Sequence, residues 1–599
     1  MAHMILTNVS NWREKLKELY SYAGFSKNAD GCAAENVWFQ TYKKLKINNE
    51  NAYHNDEGFV ICCGTLIYKE NTGKRALEEM LNDYLAGMTL TEIRQNCYGQ
   101  YAVALCDGHT IYVFVDETGC YSYYYFYDNQ KREFLFCNML AHLQACVKSS
   151  FDEITAAAII SHCGRVPFPN TVFSQIKRLR ADEVLTIELT SCEVHLGHVQ
   201  LNDYKRKFEN FGEAVDALEV EVRKYMKVRD KLFCKPEILM TGGSDSRLML
   251  ASYLASEKRP VINYWVGKDG ITNTKTMDKD IVEMIARKEN LEYCLKNIDS
   301  DFCEDWARIG NREFCKYGEY MLHYGFNHIW VDMMENGIQG DYLDSGLSGE
   351  ILAEKDSITA HKKGFKSVWE FTKQEWGGDG WVDIELLKGL SDKVFTFVNQ
   401  FFMHDFRVID NCQSAIDQQM AIAEIDSMRP ISDGMLHNFI NLFRYSNCML
   451  FEKKTMDIAS CIPYEWKKEY RLNIALLNRL YPQLVSYPYF CHCEERLYDS
   501  ITNSLTYPVE KLRKEKVKHF LQKFHLFNFA KYLKDKIVPQ HVYQYQDDSE
   551  IVQFILDALD TLDSYRATNI EITTQWSGYV AGMYQALMWF TVIDLADKY

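Results

Sequence analysis

Between about residues 58 and 200, short apolar runs alternate with polar turns along the chain. Four of these runs have the length and the β-branched or aromatic content of strands, at 59–63, 101–105, 111–115 and 123–126. Pairs such as Asp107-Gly108 separate several of them, which is typical of antiparallel hairpins. Helical stretches are predicted near residues 76–86 and 152–162. The pattern therefore predicts antiparallel strands combined with a few helices.

Beyond Phe211 the pattern changes to helices that alternate with strands. Residues 213–227 form one amphipathic helical stretch, with apolar side chains on a single face. Two apolar strands are each followed by a predicted helix, with the strands at 237–240 and 261–266 and the helices at 246–256 and 278–289. Strands that alternate with helices are typical of a parallel α/β sheet. Residues 380–599 are predicted to be mostly helical.

The composition and charge of the chain narrow the function classes. With 47% hydrophobic residues among 599, the chain can bury large cores, which excludes general disorder. Its 67 basic and 83 acidic residues give a net charge of −16, which argues against nucleic-acid binding, because phosphate neutralisation needs a basic surface. No secretion signal and no apolar run of about 18 residues is present, so no membrane contact is predicted. The 19 cysteines form no C-x-x-C pair, which favours reduced thiols in a cytoplasmic protein.

The segment that indicates chemistry lies between the first predicted strand of the α/β region and the helix after it. It reads Thr241, Gly242, Gly243, Ser244, Asp245 and Ser246. Glycines let the backbone approach a ligand closely, and the start of a helix offers unpaired N–H groups and a positive dipole. The hydroxyl groups add donors for an anion, whereas Asp245 fits such a site when a divalent cation lies between its carboxylate and the phosphates. The combination predicts a magnesium-nucleotide site in which pyrophosphate is held and released.

Two other nucleotide-binding motifs are absent from the sequence. The chain has no G-x-x-x-x-G-K-[ST] motif, so a P-loop kinase or GTPase is not indicated. It has no G-x-G-x-x-G after a strand either, so dinucleotide binding is unsupported. The alternative that stays open is a tight strand–helix turn in which an Asp or Ser caps the helix and no ligand binds.

The same residues resemble the S-G-G-x-D-S motif of the asparagine synthetase-like family of ATP pyrophosphatases, with Thr241 in place of the first serine. Three further stretches resemble the family's second strand, the helix after it and the helical segment that closes its site, at 263–267, 278–286 and 457–488. The run Gly337-Ile338-Gln339-Gly340-Asp341 is similar to a second glycine loop, whose aspartate binds Mg²⁺ in relatives. The resemblance implies ATP and Mg²⁺ as cofactors. Residues 241–246 and Gly340 would hold the phosphates, and Asp245 and Asp341 would hold Mg²⁺.

The first half of the chain resembles the glutamine amidotransferase domain of the same family, at residues 98–102, 115–119, 136–138 and 171–179. The resemblance covers roughly residues 58–490. It implies a leading segment at 1–57, a degenerate class II amidotransferase-like α+β sandwich of the N-terminal-nucleophile type at 58–205, an α/β parallel-sheet synthetase domain at 206–490 and a helical C-terminal extension at 491–599.

A working glutaminase of this kind needs a cysteine as its processed first residue. Here Ala2 follows Met1 and the first cysteine is Cys32, so the glutaminase is predicted to be inactive. Residues 1–4 are interpreted as an expression tag.

Two positions depart from the family's pattern. Ile338 stands where asparagine synthetases have a glutamate, and their later catalytic lysine has no clear counterpart. Lys468 and Arg471 are the predicted catalytic cations, with Lys467 nearby, because a cation there would offset negative charge on the intermediate and the leaving group. The competing interpretation is that all three cations coat a surface helix.

These departures make the chain similar to the branch of the family that contains β-lactam synthetases and lasso-peptide macrolactam cyclases. The resemblance implies a glutamine-independent ligase that adenylates a carboxylate, releasing pyrophosphate and then AMP, and joins the acyl group to an amine. Its substrate would be a small molecule or peptide with a carboxylate and an amine, in natural-product or surface-polysaccharide biosynthesis. A lasso-peptide cyclase would also need biosynthetic partner proteins. The alternatives are an ammonia-dependent asparagine synthetase-like enzyme and a non-catalytic ATP-binding regulatory relative.

Overall fold

The computed structural model describes residues 2–150, 169–199, 206–267, 276–298, 333–346, 429–491 and 494–506, apart from single positions within these ranges and a few isolated residues between them. The predicted helix at 152–162 falls almost entirely outside the described residues, as does nearly all of the region 353–428. Residues 507–599, most of the predicted C-terminal extension, lie outside them as well.

The first domain is a sandwich of two antiparallel sheets with helices beside them. Its elements are β1 (His3–Thr7), α1 (Ser10–Tyr22), β2 (Lys27–Ala34), β3 (Val37–Tyr42), β4 (Ala52–His54), β5 (Phe59–Gly64), β6 (Ile67–Tyr68), β7 (Asn71–Thr72), α2 (Lys74–Leu85), α3 (Leu90–Gln95), β8 (Cys97–Tyr98), β9 (Tyr101–Cys106), β10 (Thr110–Val115), β11 (Tyr124–Asp128), β12 (Glu133–Cys137), α4 (Leu140–Val147), β13 (Lys177–Arg178), β14 (Glu183–Glu188) and β15 (Val194–His198). One six-stranded sheet has the order β13-β11-β12-β1-β3-β2, and the other has the order β15-β14-β10-β9-β5-β4.

The four strands predicted from the apolar runs are present as β5, β9, β10 and β11. Their inward-facing side chains fill the space between the two sheets, where Ile61, Ala104 and Val113 join Leu6 and Phe136 in one buried cluster. A strand that is covered on both faces needs apolar residues at nearly every position, which explains why these runs are continuous rather than alternating. The prediction of antiparallel hairpins in this region is therefore confirmed.

The predicted leading segment at 1–57 is wrong, because these residues are part of the sandwich. Strand β1 lies inside its sheet, where Ile5 pairs with Cys137 of β12 on one side and with Gln40 of β3 on the other. Ala2, Met4, Ile5 and Leu6 are each at most 1% exposed. Residues 2–4 are thus buried in the core, and the interpretation as a tag is corrected as well.

The second domain is built on a five-stranded parallel sheet of order β18-β17-β16-β19-β20. Its elements are α5 (Phe211–Leu232), β16 (Pro236–Leu239), α6 (Ser244–Leu254), β17 (Val261–Gly267), α7 (Thr276–Lys288), β18 (Tyr293–Ile298), a π-helical turn (Met333–Gly337), β19 (Tyr342–Ser345), α8 (Arg429–Phe443), β20 (Tyr445–Asn447), α9 (Lys453–Ser460), α10 (Tyr464–Lys467), α11 (Arg471–Leu480), β21 (Tyr489–Cys491), β22 (Glu494–Asp499) and β23 (Ser504–Thr506). Every strand pairing in the five-stranded sheet is parallel, as the alternation of strands and helices predicts.

The start of the predicted helical extension is a small sheet. Strands β21, β22 and β23 pair in an antiparallel order, and the first of them begins before residue 491. The boundary at 490 therefore cuts through a strand that belongs to the second domain. Within the described ranges, no helix combines the length and the apolar character that crossing a bilayer requires.

The two domains share a buried polar interface centred on Asn441. Its side-chain NH₂ group donates to the carbonyl oxygens of His437, at 2.8 Å, and Ser446, at 3.2 Å. Its side-chain oxygen accepts from the Lys44 ammonium, at 2.9 Å, and from the Thr65 hydroxyl, at 2.6 Å. Both donors and both acceptor sites of the amide are used. Because Lys44 and Thr65 belong to the sandwich, this one side chain joins the two domains.

A second interface contact is made by the carboxylate of Glu452, which follows β20. It accepts from the backbone N–H of Gly99 in the sandwich, at 3.0 Å, and from the side-chain amide of Asn447. Burial raises the pKa of Glu452 to about 8, although both hydrogen bonds favour the charged form. The titration of this group is therefore coupled to the packing of the domains.

We expect Asn441→Ala to reduce the free energy of unfolding by about 2–4 kcal/mol, because the buried Lys44 ammonium and Thr65 hydroxyl both lose an acceptor. The midpoint of urea unfolding measures this change. Asn48 is a matched control, since its side chain accepts from Lys43 at the surface. Asn48→Ala is expected to stay within about 0.5 kcal/mol of the wild type. Equal midpoints for Asn441→Ala and the wild type would contradict the role of Asn441 in the interface.

The stability of the protein is expected to depend on pH through Glu452. Its folded-state pKa of about 8 lies above the ordinary value of 4.5, so the folded state binds the extra proton between these values. The stability contributed by the protonated form is present at low pH and is lost as pH rises from about 4.5 to about 8. Glu452→Gln removes this titration, so its melting temperature is expected to fall less than that of the wild type between pH 5 and pH 8.5. Glu465→Gln, at a largely exposed glutamate, is the control that keeps the wild-type profile.

Candidate functional site

The predicted glycine loop lies where the sequence places it, between β16 and α6. Gly243 is the residue before the helix, and no side chain caps the helix at this end. No side chain at the N-cap position satisfies the N–H groups of the first turn, although the N–H of Ser244 donates to the sulfur of Cys491, and the helix dipole points at the same place. This is the arrangement in which helix N-termini bind phosphate.

The space around position 242 admits no residue larger than glycine. A β-carbon at this position would lie 2.5 Å from a carboxylate oxygen of Asp278. The same oxygen accepts from the backbone N–H of Gly242, at 2.7 Å. Asp278 is buried in the first turn of α7, and its role in shaping the loop was not predicted from the sequence.

The hydroxyl groups of the loop divide into internal and exposed groups. Ser246 is buried, and its hydroxyl accepts from the backbone N–H of Thr241 and lies 3.1 Å from that residue's carbonyl oxygen. Thr241 is exposed, and its own hydroxyl accepts from the N–H of Gly243 at 3.2 Å. Ser246 therefore fixes the loop to the helix, and the Thr241 hydroxyl, which lies 3.1 Å from the Ser246 hydroxyl, belongs to the same network although Thr241 is exposed.

Asp245 lies half-buried on the first turn of α6. One of its carboxylate oxygens accepts from the Ser244 hydroxyl, at 2.9 Å, and from the side-chain amide of Asn473, at 3.3 Å. Asn473 is fully buried on α11 and is a site residue that the sequence analysis missed. Burial raises the pKa of the neighbouring Cys491 thiol to about 11, and the charge of Asp245 acts in the same direction. The thiol is therefore neutral near pH 7.

Arg247 clamps the chain after α11 over the glycine loop. Its guanidinium group is fully buried and lies 3.6 Å from the centre of the Tyr489 ring. It donates to four backbone carbonyl oxygens, which belong to Gly242, Leu484, Tyr487 and Pro488. The N–H of Phe490 adds a bond to the carbonyl of Gly242, at 3.0 Å. The geometry of the loop thus depends on a segment more than 230 residues away in the sequence.

Asp341 and Gly340 lie at the opposite end of the sheet from this loop. Strands β16 and β19 are parallel and in register, with Pro236 opposite Tyr342 and Leu239 opposite Ser345. Asp341 precedes β19, whereas the glycine loop follows β16. Three strand residues of about 3.3 Å each separate the two ends, so the distance is about 10 Å or more. The predicted joint binding of Mg²⁺ by Asp245 and Asp341 is therefore wrong.

The contacts of Asp341 and Gly340 explain why they lie in a glycine loop. The Asp341 carboxylate accepts from the backbone N–H groups of Cys234, at 3.2 Å, and Lys235, at 3.0 Å. The Gly340 N–H donates to the carboxylate of Glu237. These groups hold the amino ends of β16 and β19 together, and the assignment of Gly340 to phosphate binding is corrected with that of Asp341.

The carboxyl end of β19, unlike its amino end, lies beside the glycine loop. A β-carbon on Gly346 would be 2.4 Å from the α-carbon of Ser246, so the two backbones touch. Before it, the Ser345 hydroxyl lies 2.9 Å from one ring nitrogen of His437, whose other nitrogen lies 2.8 Å from the Ser446 hydroxyl. Burial lowers the pKa of His437 to about 3, so the ring is neutral and bridges the ends of β19 and β20.

The two predicted catalytic cations make contacts outside the glycine loop. The Lys468 ammonium lies 2.6 Å from Glu465, and its side chain is 43% exposed. The Arg471 guanidinium lies over the ring of Phe211, 5.5 Å from its centre. These contacts place Lys468 and Arg471 at the helix surface, whereas Lys467 is buried, so the three cations do not all coat a surface. A catalytic role for Lys468 or Arg471 stays a prediction.

The residues of the loop fit a phosphate group. The cradle is formed by the N-terminal end of α6, where the N-cap residue makes no side-chain bond, by the hydroxyl group of Thr241 and by Gly242. Residue 242 has no room for a β-carbon. Asp245 is the carboxylate of this cradle, and it could serve as one ligand of Mg²⁺. Among the residues that the structure describes, no three His, Cys, Asp or Glu side chains are grouped as metal ligands.

Comparison with known proteins finds only distant similarity. No protein-family model matches the chain, and no curated protein matches it by sequence. Among solved structures, glutamine phosphoribosylpyrophosphate amidotransferase from B. subtilis, in complex with ADP and GMP, matches at 8% identity and a TM-score of 0.23, over 49% of this chain and 65% of its own. An allosteric regulatory enzyme of purine biosynthesis matches at 9% identity and a TM-score of 0.23, over 49% of this chain and 80% of its own. This chain thus spans less than two thirds of the first of these structures, and scores this low do not establish a shared fold.

We expect Gly242→Ala to weaken the binding of Mg²⁺-ATP and of pyrophosphate by about 10-fold or more, because the new methyl group displaces Asp278 and distorts the cradle. Titration calorimetry with a non-hydrolysable ATP analogue measures the affinity. Gly197→Ala is the matched control, since a β-carbon there lies 3.7 Å from the carbonyl oxygen of Val184, an ordinary contact. Unchanged affinity in a folded Gly242→Ala variant would show that the loop does not hold phosphate.

Proposed function

We propose that the protein is an ATP-dependent carbon–nitrogen ligase that adenylates a carboxylate and transfers the acyl group to an amine. The observation that carries the proposal is the glycine loop after β16, with the uncapped end of α6 and Asp245 at the carboxyl edge of a parallel sheet. Ligands of open α/β sheets bind at this edge. The similarity of residues 241–246 to S-G-G-x-D-S supports a pyrophosphate rather than another anion as the bound group.

The reaction proceeds in two substitutions. An oxygen of the substrate carboxylate attacks the α-phosphorus of ATP, the bond to the bridging oxygen breaks, and pyrophosphate leaves. The amine nitrogen then attacks the acyl carbon, AMP leaves with the bonding electrons, and the nitrogen loses a proton. Amide formation is favoured when both reactants are held in one orientation, which is the main contribution that the protein can make.

The residues of the loop have separate roles in this proposal. The N–H groups at the start of α6 and the Thr241 hydroxyl hold the phosphates of the leaving pyrophosphate. Asp245 binds Mg²⁺, which when bound neutralises charge on the phosphates. Asn473 and Ser244 orient the Asp245 carboxylate through their hydrogen bonds to one of its oxygens.

We also propose that the reaction does not use glutamine. This part of the proposal follows from the resemblance to the branch of the family whose members use an amine in place of glutamine. The sandwich would then serve as a scaffold or a recognition surface for a cytoplasmic biosynthetic enzyme. The substrate would be a small molecule or a peptide that carries a carboxylate or an amine, and a peptide cyclase would work with partner proteins.

The test compares two aspartates that the sequence alone cannot tell apart. Purified protein is incubated with Mg²⁺-ATP and pools of acids and amines, and AMP and pyrophosphate are quantified. Asp245→Asn is expected to reduce both products by about 100-fold or more, because the cation loses a ligand next to the phosphates. Asp341→Asn is expected to keep the wild-type rate within about threefold, because Asp341 holds backbone N–H groups at the far end of the sheet.

Other outcomes of this experiment have defined meanings. Formation of ADP instead of AMP would contradict the adenylation. Equal losses in the two variants would contradict the assignment of the site. Product formation with aspartate and ammonium alone would favour the ammonia-dependent alternative, and ATP binding without turnover for any pool would favour the regulatory relative.

A further inference from the structure

The amide of Asn473, beside the glycine loop, is buried in an otherwise apolar part of α11. Residues 472–477 are all buried, and Asn473 is the polar residue among these six. Its exposed fraction is 0%. Burying a polar side chain is costly unless its polar atoms are bonded, so the partners of this amide decide what it is for.

Only one end of the Asn473 amide is hydrogen-bonded. Its NH₂ group donates to a carboxylate oxygen of Asp245, at 3.3 Å. Its oxygen is also buried, and none of the residues that the structure describes donates a hydrogen bond to it. The amide of Asn441, by comparison, uses both donors and both acceptor sites. Asn473 therefore holds an unused oxygen next to the carboxylate of the glycine loop.

The backbone places this amide on a rigid element. The chain enters α11 through two consecutive residues in the left-handed region, Glu469 and Tyr470, with φ of 52° and 62°. Neither residue is a glycine, so the start of the helix is strained. The neighbours Leu472 and Ile474 belong to the core of the domain and hold the helix there. The position of Asn473 against Asp245 is thus fixed by packing.

We propose that Asn473 is a ligand of the cation that binds at Asp245, and that its amide oxygen turns towards the carboxylate when the cation is present. A half-turn about the bond between Cβ and Cγ exchanges the positions of the amide oxygen and nitrogen, and this torsion is roughly two-fold. Without a cation, the NH₂ group faces the carboxylate and bonds to it. With a cation between the two side chains, the oxygen faces it instead.

The spacing of the two side chains suits a small divalent cation. After the half-turn, the amide oxygen takes the place of the nitrogen, which lies 3.3 Å from the carboxylate oxygen of Asp245. Mg²⁺ holds oxygen ligands at about 2.0–2.1 Å in an octahedron, so neighbouring ligands are about 3 Å apart. Carboxylate and amide oxygens are also the kind of ligand that Mg²⁺ and Mn²⁺ prefer.

This role goes beyond the orientation of Asp245. A hydrogen bond from the NH₂ group leaves the amide oxygen without a donor, whereas a cation uses that oxygen. The statement that the cation accompanies ATP and pyrophosphate rests on the proposed function. The binding of the cation by Asp245 and Asn473 does not.

The test uses Mn²⁺ as a paramagnetic substitute for Mg²⁺ and the full-length protein, in which asparagine carries ¹³C in the side-chain amide. Electron paramagnetic resonance quantifies bound Mn²⁺, first with the metal alone and then with pyrophosphate. A pulsed measurement detects ¹³C next to the metal. We expect a coupling that corresponds to about 3 Å between Mn²⁺ and the amide carbon, because the metal–oxygen and carbon–oxygen bonds are about 2.1 and 1.2 Å long. Absence of bound Mn²⁺ under both conditions, or of the coupling in the wild type, would overturn the proposal.

Variants assign the coupling to one residue. Asn473→Asp replaces the amide by a carboxylate of the same shape, so the ¹³C coupling is expected to disappear while Mn²⁺ binds about 10-fold more tightly. Asn473→Leu removes the oxygen and is expected to weaken Mn²⁺ binding about 10-fold. Asn478→Asp is the matched control, because it adds the same charge at an exposed position of α11 and should keep both the coupling and the affinity of the wild type. A coupling that persists in Asn473→Asp, or Mn²⁺ binding by Asn473→Asp that is no tighter than by Asn478→Asp, would contradict the proposal.

Melting temperatures show whether the variants are folded. In the presence of EDTA, Asn473→Asp places two carboxylates side by side, and it is expected to melt at a lower temperature than the wild type. Addition of Mn²⁺ is expected to raise this melting temperature, because the cation binds the folded state and offsets the repulsion.

The proposed function and this metal ligand can fail separately. If the ¹³C coupling is present but no AMP is formed from any pool of acids and amines, the role of Asn473 stands and the ligase is rejected. If AMP is formed but Mn²⁺ shows no coupling to Asn473, the ligase stands and the role of Asn473 is rejected.

Discussion

The arrangement of the whole site depends on one buried amide, that of Asn441. Its four hydrogen bonds are shared between the sandwich and the parallel sheet, and none of its polar atoms is left over. One of its partners, His437, also contacts the Ser345 hydroxyl at the end of β19, and the other ring nitrogen of His437 contacts the Ser446 hydroxyl. The edge of the sheet where a ligand would bind is therefore set by the docking of the two domains. A network of this kind is stable only when each member is satisfied, so the domains are expected to pack in one arrangement rather than several.

Counting hydrogen bonds separates the polar groups that build the site from those that are open to ligands. Ser246 and Arg247 lie in or next to the motif, yet their bonds go to the loop and to the segment that covers it. Asp341 also follows a glycine, and its carboxylate accepts hydrogen bonds from two backbone N–H groups. In contrast, no side chain at the N-cap position satisfies the first N–H groups of α6. Residue type and spacing indicate candidates, and the remaining hydrogen-bonding capacity decides among them.

The features that could be predicted from the sequence are those that depend on neighbouring residues. The strands of the sandwich, the alternation of strands and helices and the loop at 241–246 all have local patterns, and the structure contains each of them. Asp341 could not be assigned correctly in this way, because the sequence of a glycine loop does not show whether it precedes or follows a strand. The register of Pro236 with Tyr342 shows that this loop precedes β19. Strand β1 was missed for a related reason, since its pairing partner β12 lies about 130 residues away and no local turn connects them.

The sandwich contributes directly to the contacts that hold the two domains together. It supplies Lys44 and Thr65 to the interface and Gly99 to the contact with Glu452. Burying polar groups is costly unless they are hydrogen-bonded, and the buried side chains of Lys44 and Thr65 find their acceptor in Asn441 of the other domain. The docked arrangement of the two domains is therefore favoured over any arrangement in which these groups are buried without that acceptor.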